Sequence, residues 1–214
     1  MYKKIAIISD LHVDTWPNSQ HVTSIIQRKC EQTGADLIIC AGDVADGFKI
    51  QPSFDHISPP VLFVPGNHDH YGHYLPDEPH VFIDEQIFAS TLWSNFEHEQ
   101  PFAFSIFRRI RDAYEIKDVT ADRLIDHFNQ TIDQMHHANK EIVVTHFPPC
   151  QQSISPAYTG DPTNPYFVND LEGRIQSGEL GPKLWVCGHV HWKHSYRIKD
   201  TLVVCNPLGY PGEL

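Results

Sequence analysis

Five short segments of this 214-residue chain hold the side chains best suited to chemistry: Asp10-Leu11-His12, Gly42-Asp43-Val44-Ala45-Asp46, Gly66-Asn67-His68-Asp69, Thr145-His146 and Gly188-His189-Val190-His191. They offer carboxylate and amide oxygens and imidazole nitrogens, donors that suit divalent Mn, Fe, Co, Ni or Zn. Two such ions, roughly 3.5–4 Å apart, lower the pKa of a shared water and clamp phosphoryl oxygens during an in-line displacement. Asp43 is the natural bridge, since a carboxylate has two oxygens and this one is central to the set. Asp10, His12 and His191 can complete one ion; Asn67, His146 and His189 can complete the other. Two divalent ions, two carboxylates and one hydroxide leave a net charge of about +1, which favours a phosphate anion. Asn67 coordinates without cancelling that charge. His68, next to Asn67, suits a different role: protonating the leaving oxygen, with Asp46 to hold and charge it.

Each segment follows an apolar run that reads as a β-strand. Ile5-Ala6-Ile7-Ile8, Leu37-Ile38-Ile39-Cys40, Val61-Leu62-Phe63-Val64, Ile142-Val143-Val144 and Leu184-Trp185-Val186-Cys187 have the composition of strands buried on both faces. Ligands of open α/β sheets sit outside the carboxyl ends of the strands, so the sheet gathers all five segments at one edge. Alone, Asp-x-His is a common turn, and Gly-Asp after a strand is often a left-handed turn closed by its own side chain. Five in order, each at a strand end, argue for a site.

Val22, Ile25, Ile26 and Cys30 recur at helical spacing, with Gly34 as a stop, so residues 3–41 form a βαβ unit with parallel strands. A second helix spans residues 121–138, with Leu124, Ile125, Phe128, Ile132 and Met135 on one face and Thr120 as N-cap. Residues 194–198 and 201–205 make a hairpin about Lys199-Asp200. The stretch 71–119 is less regular, with a strand expected at 89–93 and a short helix at 104–113. The loop 155–169 is rich in Pro, Gly, Asn and Tyr, and both regions are expected around the mouth of the site. His70, Tyr71, His73 and Tyr74 read as solvated loop residues. Arg108, Arg109 and Arg111 read as the exposed face of the short helix, and His136 and His137 as exposed residues near a helix end.

Length and the spread of the segments favour one domain over residues 1–214. Hydrophobic residues make up 41% and charged residues 20%, which is ordinary for a globular chain. No run is long enough to span a membrane. Only a short apolar run precedes Asp10, too little for a signal peptide, and the five cysteines include no CxxC pair. A cytoplasmic location is expected. The net charge of −11 argues against general nucleic-acid binding.

The five blocks together resemble the calcineurin-like metallophosphoesterase superfamily, whose pattern is D-x-H, G-D-x-x-D, G-N-H-[DE], a lone H, and G-H-x-H. The resemblance covers about residues 5–210. It implies a four-layer α/β/β/α sandwich, with two mixed β-sheets flanked by helices. It also implies one metal held by Asp10, His12, Asp43 and His191 and a second held by Asp43, Asn67, His146 and His189, with His68 and Asp46 assisting the leaving group. The Arg that follows the second Asp in the protein Ser/Thr phosphatase branch is replaced by Gly47-Phe48. Residues 89–96 and 206–211 look like a compact bacterial phosphohydrolase branch. The expected function is a dimetal phosphoesterase in which a metal-bridging hydroxide attacks a small phosphomonoester or phosphodiester. The alternatives are a catalytically inactive binding scaffold with this fold, or a nuclease acting on nucleotides or short oligonucleotides.

Overall fold

A computed structural model describes residues 2–48, 54, 57–96 and 102–213. Its described strands form two sheets. Ile5–Ile8 (β1), Leu37–Ala41 (β2) and Val61–Val64 (β3) make a parallel sheet in the order β1-β2-β3. The second is mixed, in the order β4-β5-β6-β7-β9-β8. Its strands are Val81–Ile83 (β4), Ile87–Ser90 (β5), Ile142–Thr145 (β6), Leu184–Cys187 (β7), His194–Ile198 (β8) and Thr201–Cys205 (β9).

Strand alternation sorts the apolar residues into layers. Leu37, Ile39, Ala41 and Val64 of the first sheet pack against Ile87, Ala89, Val144 and Val186 of the second. The opposite faces are covered by helices. Ser19–Thr33 places Val22 and Ile26 against Ile38 and Cys40, and Ala121–Ala138 places Phe128, Ile132 and Met135 with Phe88, Val143 and Trp185. This is the helix–sheet–sheet–helix arrangement expected. The sheets join at one corner: Ser9 pairs with the chain just after β9, through Ser9 N–H to Asn206 O (3.2 Å) and Leu208 N–H to Ser9 O (2.9 Å).

The βαβ unit, the hairpin and the helix Ala121–Ala138 stand where the sequence places them, with the Thr120 side chain accepting from Arg123 N–H. The side chain of Cys30 lies outside the described residues. Three expectations need correction. Burial on both faces holds for β2, but β1 and β3 flank it and are only half-buried. The strand expected at 89–93 is Ile87–Ser90, and Leu92 turns away with φ of 51°. The helix expected at 104–113 is two pieces, Ala103–Phe107 and Asp112–Glu115, with the chain turning between them. That break lets Ile106, Phe107 and Ile110 reach one apolar cluster and swings Asp112 inward to full burial.

Candidate metal centre

All five segments meet at the carboxyl ends of β1, β2, β3, β6 and β7, and they are laced together by the main chain. Asp10 N–H donates to Gly42 O (2.9 Å), His12 N–H to Asp43 O (3.0 Å) and Gly188 N–H to His146 O (2.9 Å). His189 N–H donates to Asp10 Oδ1 at 2.8 Å. Asp69 accepts from four main-chain N–H groups, those of Asp43, Val44, Ala45 and Gly66, and so ties the second segment to the third. The backbones approach so closely that a Cβ on Gly66 would lie 2.1 Å from Asp43 Oδ1, and one on Gly42 would lie 2.2 Å from His146 Nδ1.

Five of the seven proposed ligands have a left-handed backbone: Asp10 (φ 52°), His12 (41°), Asp43 (54°), His189 (70°) and His191 (45°). For residues with a Cβ this costs about 1–2 kcal/mol each, so the turns are held by their surroundings. They carry each side chain over the sheet end instead of along it.

The donors converge in two groups. His12 Nε2 and His191 Nε2 face each other at 3.0 Å, and His191 Nε2 is 3.6 Å from Asp10 Oδ1. His146 Nε2 is 3.0 Å from Asn67 Oδ1, and Asp43, His146 and His189 offer donor atoms within 4.8 Å of one another. Asp43 lies between the groups. Its Oδ1 accepts from His68 N–H at 2.9 Å, whereas its Oδ2 is 3.8 Å from His12 Nε2 and 3.4 Å from His146 Nε2. Oδ2 is thus the Asp43 oxygen that faces both groups, while Oδ1, the second oxygen of the expected bridge, is taken up by the main chain.

A cation fits this set. Asp10 Oδ2 and His189 Nε2 are buried without a hydrogen-bond partner among the described residues, an expensive state for polar atoms. Burial lowers His12 to a pKa of about 3 and His189 well below the ordinary histidine value, leaving their lone pairs free. Burial alone would lower His146, but the Asp43 carboxylate beside it raises it to about 10. Burial alone would raise Asp43, and His146 lowers it. His146 Nδ1 donates to Ala41 O at 2.8 Å and His191 Nδ1 is 2.8 Å from Glu213 Oε2, which turns both Nε2 atoms toward the centre.

His68 and Asp46 sit at the rim. His68 Nδ1 is 2.8 Å from Asp46 Oδ1, with the His68 side chain 12% exposed. His73 and Tyr74 are exposed as expected, as are His136 and His137. Tyr71 and His70 are not: both are buried. The Tyr71 ring packs 4.3 Å from His68, and its hydroxyl donates to Asp112 Oδ1 at 2.7 Å. Arg108, Arg109 and Arg111 are exposed, yet Arg111 covers the Tyr71 ring at 5.0 Å and lies 3.9 Å from Asp46.

Several supporting residues fall outside every motif. Asp112 accepts from Asn67 Nδ2 at 3.0 Å and from the Tyr166 hydroxyl, which aims Asn67 Oδ1 at the centre. His189 lies against Phe147 at 4.0 Å and stacks on Phe167 at 5.1 Å, so the loop 155–169 reaches the site. Tyr210 packs 4.3 Å from His12, and its hydroxyl is 3.3 Å from His68 Nε2. The ending around residues 206–211 was the one visible signal for Tyr210. Asp112, Tyr166 and Phe167 lie in the two irregular regions expected around the mouth, though nothing singled out these residues; Phe147 had no signal.

Solved structures of similar fold include the phosphopantetheinyl hydrolase of Mycobacterium tuberculosis, with a TM-score of 0.68 at 16% identity, covering 98% of this chain and 90% of that one. A dimetal phosphatase from Danio rerio gives 0.54 at 11% identity, covering 94% and 86%. GAP50, the anchor in the inner membrane complex of Plasmodium, gives 0.51 at 11% identity, covering 95% and 71%. A sequence search of curated proteins finds no match. The calcineurin-like phosphoesterase family model matches residues 3–193, the span that carries all five ligand-bearing segments, and the chain belongs to that family.

Proposed function

We propose that this metal-dependent phosphoesterase hydrolyses a small phosphomonoester or phosphodiester at a two-ion centre held by Asp10, His12, Asp43, Asn67, His146, His189 and His191. The observation that carries this reading is the single Asp43 Oδ2 set between two groups of converging donors. When bound, two divalent ions supply positive charge to the phosphoryl oxygens and acidify the water between them.

The chain's residues account for the rest. Asp10 and Asp43 leave the loaded site a small positive excess, and Asn67 adds an oxygen without reducing it. His68 is suited to donate its Nε2 proton to the leaving oxygen, and Asp46 at 2.8 Å stabilises the charged imidazole that does so. The Tyr210 hydroxyl at 3.3 Å marks where a polar group meets that nitrogen. Tyr71 packs against the ring from the side and holds its plane. The fold alone decides nothing, because it is shared by enzymes and by an anchor protein. The intact His68–Asp46 pair supports catalysis over a binding scaffold.

The leaving group supplies the test. General acid catalysis is worth about 10²–10⁴-fold. It matters for a basic alkoxide far more than for p-nitrophenolate, which departs as a stable anion. His68→Ala should keep its metal content, lose roughly that factor on alkyl phosphoesters and lose much less on p-nitrophenyl esters. Equal losses on both, with metal unchanged, would show that His68 binds phosphate instead of donating a proton.

A further inference from the structure

Another set of donors, two of them sulfur, lies at one end of the six-stranded sheet, where Cys187 and Cys205 are the last residues of β7 and β9 and His194 is the first of β8. Cys187 on β7 is the register partner of Cys205 on β9, and Cys205 is the partner of His194 on β8. Partners in register share a face of the sheet, so the three form one row across adjacent strands, next to the row Trp185–Val203–Tyr196. A sulfur from each cysteine and a ring nitrogen of His194 lie within 4.8 Å of one another. Both cysteines are free and buried, and the Cys187 thiol makes only a 3.7 Å contact with Val204 O. His194 Nδ1 is 2.7 Å from Trp192 O, which fixes the N–H there and leaves Nε2 as a lone pair. That Nε2 is buried and has no hydrogen-bond partner among the described residues.

We propose that Cys187, Cys205 and His194 bind a divalent, thiophilic ion of the zinc type, with a donor set that shares no residue with the seven-ligand centre. Thiolate and imidazole donors select such ions over the hard ones. Binding forms two metal–sulfur bonds and releases two protons to solvent, one from each thiol. With neutral imidazole, two thiolates cancel the charge of a divalent ion, so the loaded cluster is neutral. That matters because its neighbours are Trp185, Val203 and Tyr196, and buried net charge is costly. A monovalent soft ion would leave a negative charge there.

Tetrahedral zinc places sulfur and nitrogen donors about 3.5–3.8 Å apart. Donor atoms within 4.8 Å of one another therefore need to close by at most about 1 Å. None of the three has a left-handed φ. The edge strand of the sheet is β8, and His194 is half-buried on it. An ion, and a water as fourth ligand, can enter from that edge.

Cobalt(II) distinguishes this site from the other, because a thiolate-to-cobalt charge-transfer absorption needs sulfur and the seven-ligand centre has only nitrogen and oxygen donors. The full chain titrated with Co²⁺ should develop that near-ultraviolet band. Cys205→Ser and Cys187→Ser should each abolish it, and elemental analysis of the zinc-loaded variants should show one ion fewer per chain. Because a serine places a hydroxyl in the buried layer, His194→Gln at the half-buried edge is the second variant: it should keep its fold by circular dichroism and lose the same ion. No band at saturating Co²⁺ overturns the proposal. So does a band that survives in the Cys187→Ser/Cys205→Ser double variant, which would come from another cysteine.

Discussion

The two halves of the centre are held by different parts of the molecule. Around Asn67, His146 and His189 the walls are core. His146 is tied to Ala41 O on β2, Asn67 to the buried Asp112, and His189 lies against Phe147 and Phe167. Around Asp10, His12 and His191 the wall is the end of the described chain: Tyr210 covers His12, and Glu213 holds His191, whose side chain is 18% exposed. The first half is walled by core, whereas the second, although Asp10 and His12 are fully buried, opens to water along His191. On this reading the closed half keeps its ion longer against a chelator, and the open half exchanges first.

The largest effect should come from the residue that both halves share. Asp43→Asn removes a buried charge, a change worth about 3–5 kcal/mol, or about 10²–10⁴-fold in the combined affinity for the two ions. Isothermal titration should show both sites weakened together. One site left intact would mean that Asp43 does not bridge.

Next is the closed half. Asp112→Asn replaces the acceptor that orients Asn67, and outer-shell changes of this kind cost about 10–100-fold in metal affinity. Competition with a chelator should find only one ion loosened. Loss of both ions, with the fold intact, would erase the distinction between the halves. The smallest effect belongs to the open half. Glu213 is itself 44% exposed, so Glu213→Gln should cost about tenfold, the low end of the same range, and only for the ion that exchanges first. Weakening of the slower ion instead would reverse the proposed order.

What the sequence made legible follows the same division. The ligands stand directly after strands whose apolar runs are unmistakable, and β1, β2, β3, β6 and β7 deliver them as expected. Thr120 and the apolar face from Leu124 to Met135 likewise announced their helix. The supports were hidden because tertiary packing places them. Tyr71 follows a motif as a loop residue would, and only the broken helix between Phe107 and Asp112 gives it a buried partner. Phe167 sits in a loop expected at the mouth of the site, but its composition did not single out the residue that stacks on His189. The central place of Asp43 was readable, and it carries the proposed bridge, but the His68 N–H that takes up one of its oxygens was not.

The left-handed turns at Asp10, His12, Asp43, His189 and His191 set stability and chemistry against each other within the same residues. Glycine takes that backbone without steric penalty, so the residues the backbone would favour at these positions are ones that cannot hold an ion. The hydrogen bonds that lace the segments to one another hold these turns in place. A thermal screen for hardier variants of this protein, run in the presence of chelator, would therefore tend to select the site away.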